Sequence, residues 1–212
     1  VGRLVFVSSS CVYGAIAGRI REEARLDPHT PYAVTKILGE QYIRFYREYY
    51  GLESVVVRYF NSYGPGEYPG LYRNVIPNFM ARAMRGEPLL LTGSGAETRD
   101  FTYVEDTVRG TLLAGMVQEA NGQVFNIGTG RETAIADLAR LINEIAGNRA
   151  GVIRGQRRDW DRIVRRCASI DRAVQVLGYV PRTSLEEGLE ATYRWFCRAV
   201  DRGALSAMAA GT

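Results

Sequence analysis

At 212 residues the chain has room for one large domain, or for one domain and part of another. Hydrophobic content of 46% and charged content of 24% are those of an ordinary globular protein, and no apolar run approaches the roughly 18 residues of a membrane-spanning helix. The net charge of +4 is modest, and the most basic cluster, Arg154–Arg166, suits a phosphorylated small molecule as well as a nucleic acid.

The first residues, Val-Gly-Arg-Leu-Val-Phe-Val, are too short and wrongly flanked for a secretory signal. Cys11, Cys167 and Cys197 are an odd number without metal-ligand spacing, so neither a disulfide framework nor a zinc site is expected. A reducing, cytoplasmic setting fits this usage best. Residues 1–8 read as a buried strand, apolar in Leu4, Val5, Phe6 and Val7. It begins at the first residue with no initiator Met and no preceding helix, so the sequence reads as entering a fold part-way through.

At the end of this strand come Ser8, Ser9, Ser10, Cys11, Val12, Tyr13 and Gly14. Open α/β sheets bind ligands at the carboxyl ends of their strands. Small hydroxyls placed there can donate to a substrate oxygen, or the serines can satisfy their own turn. Residues 19–30 are polar, contain Pro28 and read as a surface loop, and His29 within them is assigned no role. A helix follows from about Tyr32 to Tyr49, closed by Gly51. A second strand, Ser54 to Phe60, runs into the Gly- and Pro-rich turn Asn61 to Gly66. Strand, helix, strand in this order implies parallel pairing.

Further on, Asn74 to Arg85 is expected to be helical with a break near Pro77, and Leu89 to Leu91 a short strand. Residues 105–118 form a helix for which Asp106 is read as an N-cap rather than a catalyst. A third strand, Val124 to Gly128, ends in Gly-Thr-Gly. Thr133 caps a helix over 134–146, a short helix spans 171–177, and Ser184 with Glu187 forms a capping box for a last helix to about Val200. Asp100 is read as the partner of a neighbouring Arg, while Trp160 either packs over a substrate or plugs a gap between lobes. Residues 203–212 read as a frayed, flexible tail.

The chemistry concentrates at Pro31-Tyr32-Ala33-Val34-Thr35-Lys36. On a helix Tyr32 and Lys36, at i and i+4, share one face. An ammonium one turn from a phenol favours its ionised form, which makes the pair a proton shuttle. Alone, the spacing also describes a solvated Lys beside a half-buried Tyr.

Several motifs in chain order support the first description: Ser9 with Val12-Tyr13-Gly14, Tyr32-x-x-x-Lys36, Arg58-Tyr59-Phe60-Asn61 and Tyr63-Gly64-Pro65-Gly66. Arg99-Asp100-Phe101-x-Tyr103-Val104-x-Asp106, Asn126-Ile127-Gly128-x-Gly130 and Arg158-x-x-Asp161 complete the set. Together they resemble the extended short-chain dehydrogenase/reductase superfamily, in particular its NAD-dependent nucleotide-sugar epimerases and dehydratases. The resemblance implies an α/β fold: the C-terminal part of a Rossmann-like parallel sheet plus a smaller α/β substrate-binding lobe. The first would take residues 1–66 with 99–130 returning to it, the second 67–98 and 131–202. It implies NAD as cofactor, a nucleotide-diphosphate sugar as substrate, a homodimer, and neither nucleic acid nor membrane as partner.

By the same resemblance Tyr32 is the acid/base on a sugar hydroxyl, Lys36 binds the nicotinamide ribose, and Ser9 helps hold the reacting hydroxyl. Ser8, Tyr59 and Phe60 border the cofactor. Ser10, Asn61, Asn74 and Val75 contact the nucleotide sugar, and Arg99, Arg158 and Asp161 hold its diphosphate and ribose; guanidinium forks suit phosphate.

Two departures matter. No Gly-rich turn after a strand, such as cradles a cofactor pyrophosphate at a helix N-terminus, occurs in these 212 residues, nor does the acidic residue expected about 20 positions later. The expectation is of a fragment, inactive alone, whose first strand exposes an edge. In addition, dehydratases and related decarboxylases of the family place carboxylates where this chain has Ser10 and Cys11, which favours a 4-epimerase working through a 4-keto intermediate. A dehydratase or reductase, and a non-catalytic fragment that binds nucleotide sugar or a partner chain, are the competing readings.

Overall fold

The computed structural model describes residues 2–70, 74–156 and 163–201. Contacts divide these into two compact units, one of residues 2–62, 97–133 and 163–182 and the other of the remainder.

The first unit is built on a three-stranded parallel sheet. Ser54–Tyr59 lies in the centre, flanked by Leu4–Ser9 and Val124–Ile127. The central strand, Ser-Val-Val-Val-Arg-Tyr, is buried from Ser54 to Arg58, as expected of a β-branched strand covered on both faces. Among the described residues Leu4–Ser9 is an edge, and Leu4 and Val7 are exposed there. Helix α1, Pro31–Tyr50, connects the first two strands. Thr30 caps it by accepting the Ala33 N–H at 3.2 Å, Pro31 occupies its first position, and Gly51 closes it in the left-handed conformation. The core beneath holds Val12, Val55, Val57, Phe60, Phe125 and Ile127.

In the second unit, Leu89–Thr92 pairs in parallel with Val152–Gly155. Helix α2, Val75–Met84, and the longer helices Ile135–Ala146 and Leu185–Asp201 pack on one another around Met80, Leu138, Ile142 and Phe196.

The structure departs from the sequence reading in several places. Helix α2 runs unbroken through Pro77, which sits in the first turn, where a missing N–H costs no helical bond. Thr133 does not cap: the helix begins at Ile135 after Ala134, and no side chain bonds its start. Residues 19–30 are not all loop, because Arg19–Ile20 pairs in parallel with Cys167–Ala168. That pairing draws residues 163–182 into the sheet unit, where the sequence reading ran the second lobe through 131–202.

Asp106 is not an N-cap. It is the third residue of helix α3, Val104–Met116, fully buried, and its carboxylate accepts the Arg182 N–H at 3.0 Å and the Arg109 guanidinium. No helix is long and apolar enough to cross a membrane, no metal-ligating cluster occurs, and all three cysteines are free, among the described residues.

Candidate active site

Parallel register sets the strand ends side by side, with Ser9 opposite Tyr59 and Tyr59 opposite Ile127. The start of α1 meets this carboxyl edge. Lys36 donates from Nζ to the Val7 carbonyl at 2.9 Å, and the same nitrogen lies 5.6 Å from the Tyr32 ring centroid. The expected i, i+4 face therefore forms. Tyr32 is 53% exposed and its hydroxyl bonds no described residue, so it is open to a ligand.

Ser9 caps the short 3-10 turn Ser10–Tyr13 by accepting the Cys11 N–H at 3.2 Å. A hydroxyl that accepts in this way keeps its own proton to give. Ser10 is buried within the turn. Cys11 is half-buried, with its Sγ 3.8 Å from the Arg166 guanidinium, which also donates to the Gly14 carbonyl.

Other predicted site residues are committed to the fold. Phe60 is fully buried, and its N–H donates to the Ile127 carbonyl at 3.0 Å. The Tyr59 hydroxyl and the Thr111 hydroxyl share a 2.6 Å hydrogen bond, and burial pushes the phenol's pKa up. Asn61 has φ of 20°, tolerable for Asn, and its carbonyl accepts the Thr102 N–H. Arg99 donates to the Thr98 carbonyl at 2.9 Å. In the other unit, Asn74 precedes α2 and donates to Glu67 at 2.8 Å, while Val75 opens the helix. Arg158, Asp161 and Trp160 lie outside the described residues.

Ser8, expected to border the cofactor, turns its hydroxyl to Glu40 of α1, at 2.5 Å. Glu40 takes two bonds from Arg58, Nε to Oε1 at 2.9 Å and Nη2 to Oε2 at 2.6 Å. Arg58 also donates to the Tyr13 hydroxyl at 2.9 Å, and Tyr13 donates to Asn126 at 2.7 Å. Burial is the largest single influence on the Arg58 charge and works against it, but the Glu40 hydrogen bonds, the Glu40 charge and the Tyr13 hydroxyl together outweigh it, and the net shift of its pKa is upward. Burial likewise raises the Tyr13 phenol. Sequence reasoning missed this network. Its one visible signal was the Glu40 carboxylate at i+4 from Lys36, on the same helix face.

Asp100, read as the partner of a neighbouring Arg, instead accepts the N–H groups of Thr129, Gly130 and Ala168 and the Thr129 hydroxyl.

Residues 1–128 match the model of the NAD dependent epimerase/dehydratase family. The chain belongs to that family. An uncharacterized UDP-glucose epimerase of Bacillus subtilis is 33% identical over 191 residues, covering 87% of this chain and 57% of its own length. Among solved structures, an epimerase from Methanothermobacter thermautotrophicus superposes with TM-score 0.91 at 47% identity, covering 95% of this chain and 61% of that one. The UDP-glucuronic acid 4-epimerase of Bacillus cereus, solved with UDP-glucuronic acid and NAD, gives TM-score 0.86 at 31% identity, covering 92% and 62%. The chain thus spans about three fifths of the length of these relatives.

The family is NAD-dependent, and the donors at the strand ends have the chemistry to hold a nicotinamide ribose. Lys36 has two N–H groups beyond the one on Val7, the Tyr32 phenol is open, and the Ser9 hydroxyl stands at the end of the strand to which Lys36 bonds.

Proposed function

We propose that the chain is the catalytic part of an NAD-dependent nucleotide-diphosphate-sugar 4-epimerase. The observation that carries the reading is the open Tyr32 phenol beside the Lys36 ammonium at the carboxyl edge of a parallel sheet. NAD, held at its nicotinamide-ribose end by Lys36 and Tyr32, would supply the redox half of the reaction by taking up a hydride and giving it back. Tyr32 takes the proton of the sugar 4-hydroxyl and returns it once the 4-keto sugar presents its other face. Lys36 balances the negative charge that develops on the Tyr32 oxygen and orients the ribose. Ser9 donates to the reacting oxygen. The contribution of the protein is position and proton transfer.

Arg99, Arg158 and Asp161 are proposed to hold the diphosphate and ribose, and Asn61, Asn74, Val75 and Ser10 to contact the nucleotide sugar. Tyr59 and Phe60 would border the cofactor through their main chain, since their side chains are committed elsewhere. A homodimer is supported by the exposed aromatic face of α1, where Tyr42, Phe45, Tyr46 and Tyr49 project. The three free cysteines agree with a cytoplasmic enzyme.

A dehydratase would need an acid and a base for elimination, and Ser10 and Cys11 offer no carboxylate where that family branch places them. These 212 residues contain no Gly-rich turn for the cofactor pyrophosphate, so by themselves they would grip NAD only by its nicotinamide riboside end. Losing about 4 kcal/mol of binding weakens Kd roughly a thousandfold, which is the basis for expecting little turnover from this stretch alone.

The deciding experiment incubates the intact enzyme with NAD and UDP-glucose or UDP-glucuronic acid and identifies products by NMR. The C4 epimer supports the reading. A 4-keto-6-deoxy sugar would replace it with the dehydratase reading.

A further inference from the structure

Two side-chain bonds, one helical turn apart, fasten α1 to the edge strand Leu4–Ser9. Lys36 donates to the Val7 carbonyl, and the Ser8 hydroxyl donates to Glu40. Between them Gly39 allows contact so close that a Cβ there would sit 2.1 Å from the Phe6 ring. Glu40 is 8% exposed and its bidentate partner Arg58 4%. Arg58 reaches on to Tyr13, 4.9 Å from its ring centroid, and to the Glu22 carbonyl at 3.0 Å. One connected set of bonds therefore joins the helix that carries Tyr32 to the central strand, the edge strand and the turn that follows Ser9.

A buried ion pair is weak evidence for stability, because apolar residues of similar volume often serve as well. What a bidentate pair adds is direction. Tyr32, Lys36 and Glu40 fall within an arc of about 80° on α1, so fixing Glu40 fixes the roll of the face that bears the other two. Side chains reach about 6 Å from a helix axis, and a roll of roughly 10° moves them about 1 Å. A displacement of that size can cost about a hundredfold in rate.

We propose that Glu40, held by Arg58 and bonded to Ser8, is a positioning residue that sets the roll of α1 and thereby aims Tyr32 and Lys36. Ser8 then belongs to the support of the site and not to the cofactor contact. The inference rests on the proposed reading of Tyr32 and Lys36 as the proton-transfer pair.

Two variants test it. Ser8→Ala removes the helix–strand bond and leaves the Glu40–Arg58 pair intact. Glu40→Asp keeps the charge beside Arg58 but withdraws it from Ser8. Thermal melts establish that each folds, so that either can decide if the other does not. The first readout needs no cofactor: the rate at which Lys36 is acylated by an amine-directed reagent, followed by peptide mass spectrometry. It is expected to rise severalfold as the ammonium leaves Val7. The second is turnover of the intact enzyme, where kcat is expected to fall on the order of 10–100-fold with KM for the nucleotide sugar unchanged.

A folded variant with wild-type Lys36 reactivity, or with wild-type kcat, would overturn the proposal. Absence of turnover in the wild type, alongside increased Lys36 reactivity in the variants, would instead sink the epimerase reading and leave the helix-fixing role standing.

Discussion

Asp100 accepts both the main-chain N–H and the hydroxyl of Thr129, at 2.8 and 2.5 Å, through one carboxylate oxygen. Its other oxygen takes the N–H groups of Gly130 and Ala168 at 2.9 and 3.0 Å. The turn after the Val124–Ile127 strand is thereby clipped to the Cys167–Ala168 segment. The fit is tight, since a Cβ on Gly128 would stand 2.6 Å from that of Ala168 and 2.9 Å from the carboxylate. Burial pushes the Asp100 carboxyl up, and these hydrogen bonds only partly pull it back.

Asp100→Asn should therefore be strongly destabilising although it is nearly isosteric. An amide oriented to keep its oxygen on Thr129 turns an NH2 towards the Gly130 and Ala168 donors. Each buried donor left unsatisfied costs about 1–3 kcal/mol. Urea unfolding of the two proteins measures the loss, and equal midpoints would return Asp100 to an incidental role.

Cys167 should be inert in the folded protein. It is buried beside Asp100, and burial, followed by the Asp100 and Glu132 charges, pushes its thiol up to about 12. Thiolate is the reactive form, so at pH 8 iodoacetamide should modify Cys167 only after denaturation. Peptide mass spectrometry with and without urea shows this directly, and rapid labelling of Cys167 in the native protein would contradict it.

Glu187 sets a small pH dependence. Its carboxylate accepts the Ser184 N–H at 2.9 Å and hydroxyl at 2.8 Å, which hold its pKa below the ordinary 4.5. A carboxyl depressed in the folded state contributes stability that is fully present above about 4.5 and is lost as pH falls through the folded value. Glu187→Ala should therefore lower the thermal midpoint at pH 6 and converge on wild type at low pH. Parallel curves across that range would rule the linkage out.

Local signals accounted for what the sequence made legible. Gly51 marks the end of α1, the Ser184–Glu187 box starts the last helix, and helical spacing alone puts Tyr32 and Lys36 on one face. The parts that stayed hidden join residues far apart in the chain. Glu40 finds Arg58 18 positions away, and Asp100 finds Ala168 68 positions away, with only a carboxylate to mark either one. The Arg19–Ile20 and Cys167–Ala168 strands are two residues each, too short to carry any alternation. Asp106 looked like a cap because acidic residues favour helix starts, but its bonds go to Arg109 and to the Arg182 N–H across the fold.

The central claim, that Tyr32 moves the proton in a nucleotide-sugar epimerisation, is tested most directly by Tyr32→Phe in the intact enzyme. Because the hydroxyl is open and bonds no described residue, its removal should leave the thermal midpoint unchanged. Loss of one acid/base group should cut kcat for C4 inversion by about 10²–10⁴-fold. A variant that epimerises at the wild-type rate would contradict the account.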